Sequence, residues 1–125
     1  MAENILLVDD ETEFLEAMSI RMTARDMNVS TASSAQEAIE KIKGNDFDAI
    51  VLDYQLPGMD GLNALREIKA IRPESRIILL TGFATVEKRD EALKMGAVEL
   101  LEKPVDLRVL SRIISRDPDR ESDIT

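Results

Sequence analysis

Three short apolar runs constrain this chain more than any other feature: "ILLV" at 5–8, "AIVL" at 49–52 and "IILL" at 77–80. Each is continuous rather than alternating, as expected for a strand covered on both faces. A fourth run, "VELL" at 98–101, and a weaker one, "NVSTA" at 28–32, complete the set, the latter expected near an edge. Helical stripes lie between them. Phe14, Met18 and Met22 recur every four residues beside Leu15, and Ala35, Ala38, Ile39 and Ile42 form a second stripe. "SAQE" at 34–37 reads as a capping box, with Gly44 at the other end of that helix. Leu62, Leu65, Ile68 and Ile71 make a third stripe, stopped by Pro73. Residues 84–95 are polar, with a thin apolar face ended by Gly96, and Leu107, Leu110, Ile113 and Ile114 give a last helix. Strand and helix thus alternate five times, which predicts an α/β fold: a doubly wound, five-stranded parallel sheet with helices on both faces.

At 125 residues the chain holds one domain with a real core. The domain is expected over 1–116. The polar stretch after it, within "RDPDRESDIT", reads over 117–125 as a tail or the start of a linker. The apolar runs fall far below the roughly 18 residues of a membrane span, and Glu3, Asp9 and Asp10 stand where a signal peptide would be apolar. A cytoplasmic protein is expected. A net charge of −9 argues against direct nucleic-acid binding and against anionic membranes.

The absence of cysteine and histidine narrows the chemistry further. No thiol nucleophile, disulfide, Ser–His pair or His-ligated zinc can form. Carboxylates, hydroxyls, lysines and backbone groups remain, and this set suits a hard cation such as Mg²⁺.

The residues at the carboxyl end of each buried run are therefore informative. Asp9 and Asp10 come after the first, Asp53 after the second, Thr81 and Gly82 after the third, and Glu102, Lys103 and Pro104 after the last. In a doubly wound sheet, ligands bind outside the carboxyl ends of the strands. Each residue alone has an ordinary explanation as a cap, a turn former or a solvated side chain. Together they form a chemical set. Three close carboxylates repel unless cations relieve them, and Mg²⁺ plus Lys103 would nearly balance their charge. An aspartate there can attack a phosphoryl group and form an acyl phosphate, with the lysine and the threonine hydroxyl stabilising the transferring oxygens.

This pattern resembles the receiver domain of response regulators in two-component signalling. The residues that carry the likeness are Asp9-Asp10, the signature "DYQLPGMDG" from Asp53, Thr81 followed by a small residue, and Lys103-Pro104, across residues 4 to about 115. The resemblance implies a flavodoxin-like (βα)5 fold with strand order 2-1-3-4-5. It implies Asp53 as the phosphorylated residue. It also implies Mg²⁺ held directly by Asp10 and Asp53, through water by Asp9, and by the Gln55 main-chain carbonyl. Thr81 and Lys103 would hold phosphoryl oxygens, Gly82 would leave room for the donor, and Pro104 would follow a cis peptide. Gln55 and Phe83 fall at positions that tune phosphate lifetime in the family. The implied partner is a histidine kinase or phosphotransfer protein, since this chain has no histidine of its own to serve as donor. The family catalyses only its own phosphorylation and dephosphorylation. Its output face, formed by the fourth helix, fifth strand and fifth helix, would meet a partner or a second copy in a homodimer. The sequence departs from the family at Leu100, where an aromatic switch residue usually stands. A haloacid-dehalogenase-type phosphatase would need a second aspartate where Gln55 stands. A flavodoxin-like electron carrier would need more aromatics than the 3% present. A receiver-shaped module that is never phosphorylated would not need the full acidic and lysine set.

Overall fold

The computed structural model describes residues 2–115. The elements run β1 (Asn4–Val8), α1 (Thr12–Thr23), β2 (Asn28–Ala32), α2 (Ala35–Gly44), β3 (Ala49–Asp53), β4 (Gln55–Leu56), β5 (Met59–Asp60), α3 (Gly61–Ile71), β6 (Ile77–Thr81), α4 (Val86–Lys94), β7 (Glu99–Glu102) and α5 (Leu107–Ser115). Five strands form one parallel sheet in the order β2-β1-β3-β6-β7. Leaving aside the small β4-β5 hairpin, that is the expected order 2-1-3-4-5. The tail expected over 117–125 lies outside the described residues.

Strand side chains alternate between two faces, and so do the cores. Leu6, Val8, Ile50, Leu52, Ile77, Leu79 and Leu100 pack with α2, α3 and Ala92 of α4. Ile5, Leu7, Ala49, Val51, Ile78 and Leu80 pack with Leu15, Met18 and Met22 of α1 and with Leu107, Leu110 and Ile114 of α5. This two-sided burial is why the central strands are unbroken apolar runs. Each fully buried Leu or Ile contributes roughly 1.5–3 kcal/mol relative to exposure. The edge strands differ: β2 and β7 each bury one residue fully, Ala32 and Leu100.

Several local expectations are corrected. Ser34 does cap α2, accepting from the Glu37 N–H at 3.1 Å, but the Glu37 carboxylate reaches back to the N–H of Ser33 at 2.8 Å rather than to that of Ser34. Gly44 is the last residue of α2 and not its cap. The Asn45 side chain instead donates to the Lys41 carbonyl at 2.9 Å, satisfying one open end of the helix. Ile71 lies at the exposed end of α3, whose buried face is Gly61, Ala64, Leu65 and Ile68. The fourth helix begins at Val86 after a Thr85 cap, and Ala92 alone is fully buried on it.

The parallel register builds the site. Val8 pairs with Leu52, so Asp9 and Asp53 leave the sheet side by side. Asp53 pairs with Leu80, and Thr81 with Glu102. Main-chain bonds carry the alignment past the strand ends: Asp9 N–H donates to the Ala32 carbonyl, Tyr54 N–H to that of Leu80 and Lys103 N–H to that of Thr81.

Candidate functional site

Asp9, Asp10 and Asp53 bring carboxylate oxygens within 4.8 Å of one another at the carboxyl end of the sheet. Lys103 stands among them from the end of β7. Its Nζ lies 2.8 Å from Asp9 Oδ2, 3.6 Å from Asp53 Oδ2 and 3.7 Å from Glu11 Oε1. The ammonium also sits 4.4 Å from the centre of the Phe14 ring, within cation–π range. Asp9 is 1% exposed and Asp53 7% exposed, whereas Asp10 faces solvent. The Lys103–Pro104 peptide is cis, as the family resemblance led us to expect.

Local chemistry fixes each group. Asp9 Oδ1 accepts from the Glu11 N–H at 2.9 Å, and Asp53 Oδ1 accepts from the Gln55 N–H at 3.2 Å, so both carboxylates brace the turns directly after them. The chain beyond Asp53 folds into the β4-β5 hairpin, where the sequence pattern shows only a loop. Pro57 and Gly58 form its turn, and Gly58 takes a φ of 78°, which glycine adopts without a Cβ penalty. At Gly61 the chain returns so closely that a Cβ would lie 2.7 Å from the Asp53 carbonyl oxygen. Asp60 then caps α3 by accepting from the Asn63 N–H at 2.8 Å.

Burial raises the Asp53 carboxyl above its ordinary range. The negative charges of Asp9 and Asp10 push the same way, while the Gln55 N–H and Lys103 pull against them. For Lys103, burial alone would favour the neutral amine. The Asp9 hydrogen bond and the charges of Asp53, Asp9 and Glu11 overcome this and hold the ammonium above its ordinary value. Three clustered carboxylates against one ammonium leave two negative charges, a deficit that fits a divalent cation with oxygen ligands.

Thr81, 3% exposed, ends β6 close by. Its Oγ1 accepts from the Phe83 N–H at 3.3 Å and lies 3.4 Å from the Phe83 carbonyl. The cleft over Asp53 is lined by Asp10, Glu11, Gln55, Leu56, Pro57, Gly82 and Lys103. Phe83 is 69% exposed and is not among these lining residues. Leu100 is 4% exposed and packs in the core with α2, α3 and Ala92, so it is a core residue here.

Sequence reasoning missed three participants, Glu11, Phe14 and Lys88, and placed Glu102 at its strand end without a role. Glu11 and Phe14 flank Lys103, Glu102 accepts from the Ala84 N–H at 2.7 Å, and the Lys88 ammonium lies over both Tyr54 and Phe83. The nearness of Glu11 and Phe14 to the acidic pair was the available signal for the first two. For Glu102 and Lys88, whose partners lie on other segments, spacing gives none.

The model of the response regulator receiver domain matches residues 5–115. The transcriptional regulatory protein ZraR of Escherichia coli K12 is 33% identical over 113 residues, covering 90% of this chain but 26% of that protein. The acid tolerance regulatory protein ActR of Rhizobium meliloti is 34% identical over 119 residues, covering 94% of this chain and 61% of its own length. The chain thus spans about a quarter of the first of these relatives. Among solved structures, a receiver domain protein from Clostridium thermocellum superposes with a TM-score of 0.86 at 33% identity over the whole of both chains. A Burkholderia pseudomallei response regulator, solved with a phosphorylated aspartic acid, a calcium ion and citrate, superposes with a TM-score of 0.83 at 25% identity, covering 98% of this chain and 70% of that one. With the acidic cluster, the lysine and the sheet order all in place, the chain belongs to the response regulator receiver domains of two-component signalling.

Proposed function

We propose that Asp53 accepts a phosphoryl group from the phosphohistidine of a histidine kinase or phosphotransfer protein, and that the resulting acyl phosphate changes what the domain binds. The observation that carries this reading is the ammonium of Lys103, shared between Asp9 and Asp53 at the carboxyl end of the sheet. An Asp53 oxygen attacks phosphorus, the P–N bond breaks, and the imidazole nitrogen keeps the electron pair and takes up a proton. Asp9 holds Lys103 in place, and Lys103 offers its positive charge to the phosphoryl oxygens as they crowd the carboxylate. The Thr81 hydroxyl turns from Phe83 to donate to one of those oxygens. Gly82, on the lining of the cleft, adds no side chain there.

Asp10, Asp53 and the Gln55 carbonyl would hold Mg²⁺, with Asp9 acting through water. When bound, Mg²⁺ offsets the clustered negative charge and that of the incoming phosphoryl group. Gln55 and Phe83 are proposed to set how long the acyl phosphate survives. The domain's own turnover is limited to gaining and losing this one group. The reading also includes a cytoplasmic location, supported by relatives named as transcriptional regulators. It gives output to the face of α4, β7 and α5, toward a partner protein or a second copy of the chain. The test is intact mass after incubation with acetyl phosphate and Mg²⁺. The wild type should gain one phosphoryl group and Asp53→Asn none; an adduct of normal yield in the variant would overturn the proposal.

A further inference from the structure

Lys88 lies in the first turn of α4, partly buried, and it is bonded twice to the segment before its helix. Its backbone N–H donates to Thr85 Oγ1 at 3.1 Å, and its ammonium donates to the Phe83 carbonyl at 2.7 Å. That ammonium is also 5.1 Å from the centre of the Tyr54 ring and 5.7 Å from that of Phe83, both within cation–π range. Tyr54 directly follows Asp53, and Phe83 is the residue whose main chain meets the Thr81 hydroxyl. One side chain therefore touches the segments on both sides of the phosphoryl site and belongs to the helix beyond it.

We infer that Lys88 is a positioning residue that holds the β6–α4 loop against the loop after Asp53 and carries a shift of that loop into α4. The inference rests on the phosphoryl-acceptor reading above. A threonine hydroxyl has one proton to donate. If Thr81 gives it to a phosphoryl oxygen, it no longer serves the Phe83 carbonyl. Lys88 already serves that carbonyl with a charged donor, so Thr81 can turn without leaving it unpaired. When the Phe83 main chain moves with Thr81, the ammonium must move too or release Tyr54, and in either case the first turn of α4 feels the change. This route needs no rotating aromatic on β7, where Leu100 is buried in the core. Glu102, which holds the Ala84 N–H, anchors the same loop from the strand side.

Lys88→Met tests this cleanly, because it removes the ammonium while keeping the backbone bond to Thr85 and a side chain of similar length. Hydrogen exchange of the unmodified protein should quicken about fivefold across 82–85, the scale of one exposed charged hydrogen bond with cation–π support, with little change in melting temperature. On adding beryllofluoride and Mg²⁺, a phosphoryl mimic, wild-type exchange should change across 82–94, and in Lys88→Met the change should stop before 86. Lys88→Arg should restore both patterns. Wild-type exchange in Lys88→Met, or failure of Lys88→Arg to restore it, would overturn the inference. If the wild type neither gains mass from acetyl phosphate nor responds to beryllofluoride, the acceptor reading fails by itself, and the exchange of the unmodified proteins still decides whether Lys88 holds the loop.

Discussion

The two sides of the cleft are built on different principles. The floor, at the ends of β1, β3 and β7, is buried and ionic: Asp9, Asp53 and Lys103 are locked together, with Phe14 against the ammonium. The rim, from Gly82 just past the buried Thr81 into α4, is largely exposed and thinly packed. Phe83 and Val86 are 69% and 72% exposed, and Ala92 alone of α4 is fully buried. The floor has little freedom and much charge, which suits chemistry. The rim is held by a few hydrogen bonds and one lysine, so it can move at small cost, which suits signalling. One carboxylate on each side also shifts oppositely. Asp53 is raised by burial, while Glu99, beside the rim on β7, is lowered by its hydrogen bonds from Arg89 of α4 at 2.6 and 3.0 Å.

The largest effect should come from the floor. Lys103→Met is expected to slow adduct formation from acetyl phosphate by about 100-fold, the usual cost of losing one fixed charge-stabilising donor. Measured beside it, Phe83→Ala on the rim should change that rate far less. Equal losses in the two variants would erase the distinction between floor and rim.

Asp53→Asn should stabilise the metal-free protein by on the order of 1 kcal/mol near neutral pH, because it removes a buried charge among like charges. Proton linkage gives the sign. A carboxyl raised in the folded state binds more protons there than in the unfolded chain, so its ionisation costs stability as pH rises from the ordinary carboxylate range through the folded value. The advantage of the variant should therefore grow with pH across that window and vanish below it. Urea unfolding in a chelator over a pH series checks this, and a constant difference would count against a strained floor.

A smaller effect is expected for phosphate lifetime. Phe83→Ala should lose the phosphoryl group about two- to threefold faster, on the premise that the ring restricts water, a modest gating contribution. Loss at an equal or slower rate would leave Phe83 as a surface aromatic without this role.

The smallest is Arg89→Ala. Glu99 is depressed in the folded state, so the pair contributes stability above the ordinary carboxylate range and loses it as pH falls through the folded value. Wild type and variant should differ slightly at neutral pH and converge in acid. A gap that widened in acid would reverse the assignment.

The floor was largely legible in the sequence and the rim was not, for a physical reason. Parallel strands buried on both faces must be apolar throughout, so "ILLV", "AIVL" and "IILL" announced themselves, and the register then forced the residues after them together. Asp9, Asp53, Thr81 and Lys103 could be placed from that logic alone. The β4-β5 hairpin has strands of two residues, too short to show any period. Lys88 and Glu102 act through contacts with chain segments that no spacing rule links to them. Gly61 closes the signature "DYQLPGMDG", and only the close return of the chain over Asp53 explains why a glycine stands there. Gly44 looked like a helix cap, but an asparagine side chain does that work one residue later.

The most direct test of the whole account is chemical capture of the phosphorylated residue. Protein treated with acetyl phosphate and Mg²⁺ is reduced with borohydride, which converts an aspartyl phosphate to homoserine, and is then mapped by peptide mass spectrometry. The account predicts homoserine at position 53 alone, formed only after phosphorylation and strongly reduced in Lys103→Met. Homoserine at Asp9, Asp10 or any other aspartate with position 53 unchanged, or none anywhere despite a phosphoryl mass gain, would contradict it.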